Sequence, residues 1–258
     1  MSRENFIHFV GAGPGDPELI TIKGSRLLAD ADVVIYTGSL VPAALVSGLK
    51  ADIHNSAGLD LDEVLDIMIS AWRTGRKVVR LHTGDPAIYS AINEQIAELV
   101  RQKIPFRVIP GVSSAMAAAA ALSTELTLPE VSQTVIITRR AGRTPVPENE
   151  DLAALAGHQA TMLILLSVGM IGDVVRDLRA GGYPADTPVA VVEKVSWPDE
   201  RLLRGTLATI AGQVREAGIN RTAVIAVGRV LAKASPPALS KLYDKAFGHG
   251  FREGSVTS

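Results

Sequence analysis

The chain of 258 residues contains no cysteine. That excludes disulfides, thiolate metal sites and a cysteine nucleophile. There is also no excess of charge, because 26 Lys and Arg stand against 27 Asp and Glu, a formal net charge of −1. Nothing global therefore points to a nucleic-acid or anionic-membrane partner, and an anionic small substrate would need a local cluster of cations. No apolar run reaches the roughly 18 residues that span a bilayer. The longest blocks, such as Met162–Leu166, are strand-sized, and Met1–Phe9 holds no stretch long enough for a secretory leader. The expectation is a soluble, cytoplasmic protein. The five His are scattered without H-E-x-x-H spacing, so no metal site is expected. Neither an internal repeat nor a low-complexity tail is present, and Gly248–Ser258 reads as a poorly ordered end.

What is present is an ordinary globular balance, 47% apolar and 21% charged, over a length that suits two smaller domains. Strand-like and helix-like segments alternate. Phe6–Val10, Asp32–Tyr36, Lys77–Leu81 and Phe106–Ile109 read as strands. Gly24–Asp30, Leu61–Arg73 and Ile88–Arg101 read as helices. Apolar residues at Leu61, Val64, Leu65, Met68 and Trp72 form a helical stripe. After Gly111 the Ala-rich Ser113–Ser123 reads as a helix and Arg139–Glu150 as a polar loop. Thr134–Thr138, Thr161–Ser167, Val189–Lys194 and Thr222–Val227 read as buried strands. Helical segments at Ile171–Ala180 and Leu207–Ala217 separate the later ones. Strands that are apolar throughout, rather than alternating, argue for two largely parallel α/β sheets with helices on their faces. The expected division is an N-terminal α/β domain over 1–114 and a C-terminal α/β domain over 115–258.

Three motifs follow strands. Gly11-Ala12-Gly13-Pro14-Gly15-Asp16-Pro17 combines glycines that let a backbone approach a ligand with prolines that fix the loop. It is not a dinucleotide fingerprint: Asp16 stands where the third small residue belongs, and Pro14 and Pro17 disfavour an immediate helix. Taken alone it could equally be a tight structural turn. Thr83-Gly84-Asp85-Pro86 stands where α/β sheets bind ligands, and Asp85 could accept hydrogen bonds from hydroxyls, although an ordinary Gly-Asp-Pro turn explains it as well. Pro110-Gly111-Val112-Ser113-Ser114 opens the Ala-rich helix. Its serines could cap that helix or hold a carboxylate at its N-terminus.

Together, and in this order, GAGPGDP, TGDP and PGVSS resemble the tetrapyrrole methylase family, and the similarity covers nearly the whole chain. The resemblance implies two α/β domains with S-adenosyl-L-methionine held in a cleft between them and S-adenosyl-L-homocysteine as product. Carried over position by position, it implies cofactor contacts at Pro14, Thr83, Gly84, Asp85, Ile88, Ser113 and Ser114. It extends them, through later strand ends, to Leu166, Val195 and Val227. Thr83 replaces the family's first glycine, Ser114 an alanine and Leu166 a frequent methionine, so contacts at the last are expected from the backbone. Further stretches, Ala31–Leu40, Val79–Tyr89, Thr134–Glu148, Ser196–Glu200 and Lys241–Arg252, resemble the branch that methylates carbon 11 of precorrin-4, with a cobalt-precorrin-4 branch close beside it. A homodimer is implied as well.

Such a substrate is a polycarboxylate tetrapyrrole, so Arg139, Arg140 and Arg143 are candidate substrate-binding residues, because arginine pairs bidentately with carboxylates. A solvated basic loop is the plain alternative. Lys23, Arg80 and His82 are further cationic candidates, and Tyr36 and Tyr89 could pack on the ring. Methyl transfer to carbon depends mainly on proximity and orientation. No residue stands out as a general base; Asp16 and Glu94 qualify by position only. The rival functions are methylation at another corrin carbon, a nucleotide-dependent oxidoreductase, and a non-catalytic ligand-binding module.

Overall fold

A computed structural model describes residues 5–232, 240, 242 and 244–255. Grouping by contacts divides the chain into two units. One holds Met1–Ala117 and Lys194–Glu200, the other Ala118–Glu193 and Arg201–Ser258. The expected division at 114/115 made no provision for an excursion such as Lys194–Glu200.

The first unit contains five strands: β1 (Ile7–Gly11), β2 (Val33–Tyr36), β3 (Asp52–Asn55), β4 (Val78–His82) and β5 (Phe106–Ile109). Their order in the sheet is β3-β2-β4-β1-β5 and every pairing is parallel. Between them run α1 (Ile22–Ala29), α2 (Ala43–Val46), α3 (Leu61–Arg73) and α4 (Ile92–Arg101), and α5 (Ser114–Ala121) follows β5. The sheet is buried on both faces, so its central strands are largely apolar, although β1 carries the half-buried His8 and β4 the buried Arg80 and His82. Ile7, Phe9, Val33, Ile35 and Val78 pack with Val64, Leu65 and Met68 of α3. Val10, Val34, Val79, Leu81 and Ile109 pack with Leu28 of α1 on the other side. The α3 helix begins with a reciprocal cap: the Asp60 carboxylate accepts from the Glu63 amide, and the Glu63 carboxylate accepts from the Asp60 amide, both at 2.9 Å.

The second unit holds β6 (Val135–Arg139), β7 (Thr161–Leu165), β8 (Pro188–Glu193), β9 (Arg201–Thr206) and β10 (Ala223–Val227), with α6 (Leu152–Ala156), α7 (Ile171–Ala180) and α8 (Ile210–Glu216). The strand order is β6-β7-β10-β8-β9. Only β6 and β7 are parallel; β10 runs antiparallel to β7 and β8, and β8 antiparallel to β9. The expectation of a second largely parallel sheet is therefore corrected. Residues buried on both faces give continuous apolar runs whichever way the neighbour points, so the pattern does not encode direction. The core of this unit packs Met162, Ile164, Val189, Val191, Ile225 and Val227 against α7 and α8.

Other departures are local. α4 starts at Ile92 rather than Ile88, because Tyr89 and Ala91 take left-handed backbone angles, φ 51° and 46°. The edge strands β3 and β9, with exposed residues in both, were not expected. The end of the chain is not loose over 248–255: the backbones of His249 and Arg252 pair with each other, and the Arg252 guanidinium donates to the carbonyls of Leu242, Asp244 and Phe247. Residues 256–258 of that expected loose end, and Lys241 and Tyr243 of the Lys241–Arg252 stretch, lie outside the described residues.

Candidate active site

In the first sheet β4, β1 and β5 are neighbours and parallel, so the loops that leave their carboxyl ends emerge side by side. These loops carry the three motifs, and they meet through their glycines. A Cβ on Gly111 would lie 2.1 Å from the Gly84 carbonyl oxygen and 2.8 Å from the Gly11 Cα. A Cβ on Gly11 would lie 2.6 Å from both the Gly84 oxygen and the Gly111 Cα. No side chain fits between the three backbones. The bridge is completed by hydrogen bonds: the Ala12 amide donates to His82 O at 2.7 Å, the Gly13 amide to Gly84 O at 3.2 Å, and the Gly84 amide to Gly13 O at 2.8 Å. Gly84 has φ +63°, a left-handed conformation that favours glycine.

Asp85 joins the second and third motifs. One carboxylate oxygen accepts from the Ala87 amide at 2.7 Å and the other from the Gly111 amide at 2.9 Å. The amino end of α5 adjoins this point, with the Ser113 Cα and Ser114 N each 3.8 Å from where a Gly84 Cβ would be. The Ser113 hydroxyl accepts from the Ala115 amide at 3.3 Å, within the opening turn of α5. Thr83 contacts Thr37 through their hydroxyls at 3.1 Å. The site is thus built largely of main-chain groups, with few ionisable side chains.

A fourth segment completes it. The Trp197 indole N–H donates to Pro14 O at 3.0 Å, and the Ser196 hydroxyl accepts from the Asp16 amide at 2.9 Å. The indole lies so close to Gly15 that a Cβ there would be 2.1 Å from its Cδ1. Sequence reasoning marked Ser196–Glu200, and Ala31–Leu40 with Thr37 in it, as characteristic but gave neither a role.

Other predicted residues are placed as follows. Pro14 is buried in the loop, and Asp16 is half-buried, its carboxylate accepting from the Glu18 amide at 2.9 Å. Ile88 is half-buried; Glu94 is exposed on the first turn of α4. Val195 is buried in the Lys194–Glu200 segment of the first unit. In the second unit Leu166 has φ 56° and is 68% exposed, whereas the Val227 side chain belongs to the hydrophobic core. A Val227 side-chain contact to a ligand is therefore not available.

The three arginines differ. Arg139 donates to the carbonyls of Thr144 and Pro145 in its own loop. Arg140 is paired with Asp177 at 2.6 Å and lies 3.6 Å from Asp173. Arg143 is exposed. Of the other cations, Arg80 and His82 are 5% and 1% exposed, which removes them as substrate contacts. Arg80 has only neutral acceptors: Gln95, Ile35 O and the Ser56 hydroxyl. Burial lowers its pKa to about 10. Burial, with the Arg80 charge nearby, lowers that of His82 to about 3. Its Nε2 has no partner and its ring stacks on Phe9 with centroids 6.0 Å apart.

Among the described residues no group of His, Asp or Glu could hold a metal ion, and no helix is long and apolar enough to cross a membrane. A hollow of about 450 Å³ in the second unit, lined in part by Leu122, Glu125, Leu128 and Arg204, contains none of the predicted site residues.

The two sheets define an α/β protein in which three strand-end loops of the first sheet converge on one glycine junction. Residues 7–211 match the family Tetrapyrrole (Corrin/Porphyrin) Methylases. The chain belongs to that family. It is 56% identical to a cobalt-precorrin-4 C(11)-methyltransferase of Methanocaldococcus jannaschii, over 98% of each chain. It is 48% identical to a precorrin-4 C(11)-methyltransferase of Pseudomonas aeruginosa, over 96% of this chain and 99% of that one. The solved structure of a cobalamin biosynthetic enzyme, cobalt precorrin-4 methyltransferase, superposes with a TM-score of 0.85 at 46% identity, over 88% of this chain and 95% of that one. A uroporphyrin-III C-methyltransferase of Thermus thermophilus, solved with S-adenosyl homocysteine, has a TM-score of 0.73 at 27% identity, over 88% and 99%.

Proposed function

We propose that this chain is an S-adenosylmethionine-dependent methyltransferase that methylates carbon 11 of precorrin-4. The observation that carries the reading is the junction of Gly11, Gly84 and Gly111, which brings three backbone loops together where no side chain intrudes. Family membership and the activities named for relatives at 48–56% identity support the same reading. The donor fits this cradle. Pro14, the Thr83–Asp85 loop, Ile88 and the Ser113–Ser114 turn would hold it, the start of α5 lying beside Gly84 of the junction. It supplies a methyl group on a sulfonium, so the transfer needs no further activation of the leaving group.

What the chain itself contributes is orientation. Asp85 fixes two loops at one spacing through the Ala87 and Gly111 amides. Of the three arginines, Arg143, exposed in the polar loop, is the one proposed to meet a substrate carboxylate, because Arg139 and Arg140 are engaged. Asp16 and Glu94 remain positional candidates for removing a proton. The same proposal includes a homodimer, supported by the family resemblance and testable by light scattering, and a cytoplasmic location.

The test is calorimetric titration with S-adenosylhomocysteine and NAD in parallel, then product analysis with an isotope-labelled donor. Binding of the first ligand alone, with label at carbon 11, is the expected result. NAD binding alone overturns it. Metal-free and cobalt-containing precorrin-4, assayed side by side, decide between the two relatives' substrates; the metal-free ring is the one proposed.

A further inference from the structure

The segment Lys194–Glu200 leaves β8 and enters β9, yet by its contacts it belongs to the first unit. It is internally braced. The Trp197 amide donates to Lys194 O at 2.9 Å and the Glu200 amide to Trp197 O at 3.0 Å. The Glu200 carboxylate accepts from the Ser196 amide at 2.7 Å, and Lys194 pairs with Asp199. Lys194 and Ser196 sit at φ 48° and 64°, two non-glycine residues in the left-handed region within three positions. Strain of that kind persists only where surrounding contacts overdetermine it, and it concentrates at functional sites.

Two outward hydrogen bonds of this strap fall on one target. Trp197 takes Pro14 O and covers Gly15, and Ser196 takes the Asp16 amide. We propose that the strap, through Ser196 and Trp197, is the positioning element of the Gly11–Pro17 loop and sets the affinity for the methyl donor. The proposal rests on reading that loop as the donor's. The loop has no regular secondary structure between the end of β1 and the turn at Pro17, so its own hydrogen bonds leave its middle to be shaped from outside. Asp16 N and Pro14 O are the two polar backbone groups the strap holds, one as donor and one as acceptor.

The chain has two tryptophans, and Trp72 lies on α3 with its indole bonded to Asn5 O. A Trp72→Phe parent therefore reports emission from Trp197 alone. In that parent, S-adenosylhomocysteine is expected to shift or quench the emission. Trp197→Phe, in the wild-type chain and by calorimetry, keeps the ring but loses the N–H. Ser196→Gly loses the hydroxyl but relaxes the left-handed backbone, so its melting temperature should hold or rise. Each is expected to weaken S-adenosylhomocysteine about three- to tenfold, the factor one net hydrogen bond supports. A purely structural turn would leave the affinity of Ser196→Gly untouched. Unchanged affinity in both variants together with unchanged Trp197 emission overturns the proposal. Should wild type itself bind no S-adenosylhomocysteine, the donor reading of the loop fails instead, and with it the premise of the strap. If a variant does not fold, the emission of the Trp72→Phe parent decides alone.

Discussion

The glycine junction makes a prediction that separates steric exclusion from backbone conformation. Gly111 does not occupy the left-handed region, so alanine there is conformationally allowed. The added Cβ would nevertheless stand 2.1 Å from Gly84 O and 2.8 Å from Gly11 Cα, and both are main-chain atoms that cannot rotate away. The Gly84 carbonyl must move, and it is the acceptor of the Gly13 amide at 3.2 Å. Overpacking of this kind costs about 1–3 kcal/mol, and a lost backbone hydrogen bond about 0.5–1.5 kcal/mol more. Restricting the unfolded chain offsets roughly 0.4–1 kcal/mol. The net expectation is a loss of about 0.5–4 kcal/mol, or roughly 2–4 °C in melting temperature for each kcal/mol. Two controls bracket it. Gly58 has open space and no left-handed angle, so Gly58→Ala should be neutral or stabilising. Gly75 has open space but φ +81°, so Gly75→Ala should cost about 1–2 kcal/mol from conformation alone. Denaturant titration of the three variants, with S-adenosylhomocysteine affinity measured on each, is the assay. The reasoning is refuted if Gly111→Ala matches Gly58→Ala in both stability and affinity, because the three loops would then separate at no cost.

Asp85→Ala should lower stability by about 1–3 kcal/mol as well as weaken the donor, since it strands the Ala87 and Gly111 amides; melting and calorimetry on one sample check both effects. His82 is held neutral in the fold with its pKa near 3, so between its ordinary value of 6.5 and that point the unfolded chain binds the extra proton. Stability should therefore fall as pH drops through that window, by at most about 1.4 kcal/mol per unit, and His82→Phe should remove this component of the pH-dependence. Gln95→Leu should destabilise by about 1–3 kcal/mol because it leaves the buried Arg80 Nε unpaired, and adding Arg80→Met should recover part of the loss in a double-mutant cycle. Arg143→Ala should raise KM for the tetrapyrrole severalfold without changing the melting temperature. Arg140→Ala should lower the melting temperature instead, by removing one of the two arginine partners of the half-buried Asp177; equal effects of the two substitutions on KM would refute the distinction.

Much of the architecture was legible because burial leaves mostly apolar runs, broken by residues such as His8 and Arg80: all four strands expected before Gly111 are present, each within a residue or so of its expected span. What did not show was direction. Val189–Val192 and Ala223–Val227 are buried at every position, and such runs look the same in parallel and antiparallel sheets. Edge strands escaped for the opposite reason. β3 is Asp-Ile-His-Asn, and its exposed residues carry no period to read. α4 was drawn four residues too long because Tyr89 and Ala91 are ordinary helix residues by type, and residue type does not record their left-handed angles. The Gln95 side chain of α4 donates to Ala91 O at 3.1 Å.

The candidate site was legible to the extent that it is made of glycine and proline. Where main-chain atoms do the binding, the sequence records mainly the absence of side chains, and GAGPGDP, TGDP and PGVSS are such records. Their meeting is a consequence of strand order, which no motif states: β4, β1 and β5 must be adjacent for Gly84, Gly11 and Gly111 to touch. The strap is the harder case. Trp197 and Pro14 are 183 positions apart, and Ser196 and Asp16 are 180 apart. In the sequence Gly15 looks like one more flexible residue of a loop. In the fold it is glycine because an indole occupies the space its Cβ would need. A bulkier residue at 15 should therefore be tolerated only where 197 is small. Gly15→Ala should impair donor binding in the native chain and cost much less when introduced into a Trp197→Ala background. An equal cost in both backgrounds would mean that Gly15 is required by the donor itself rather than by the strap.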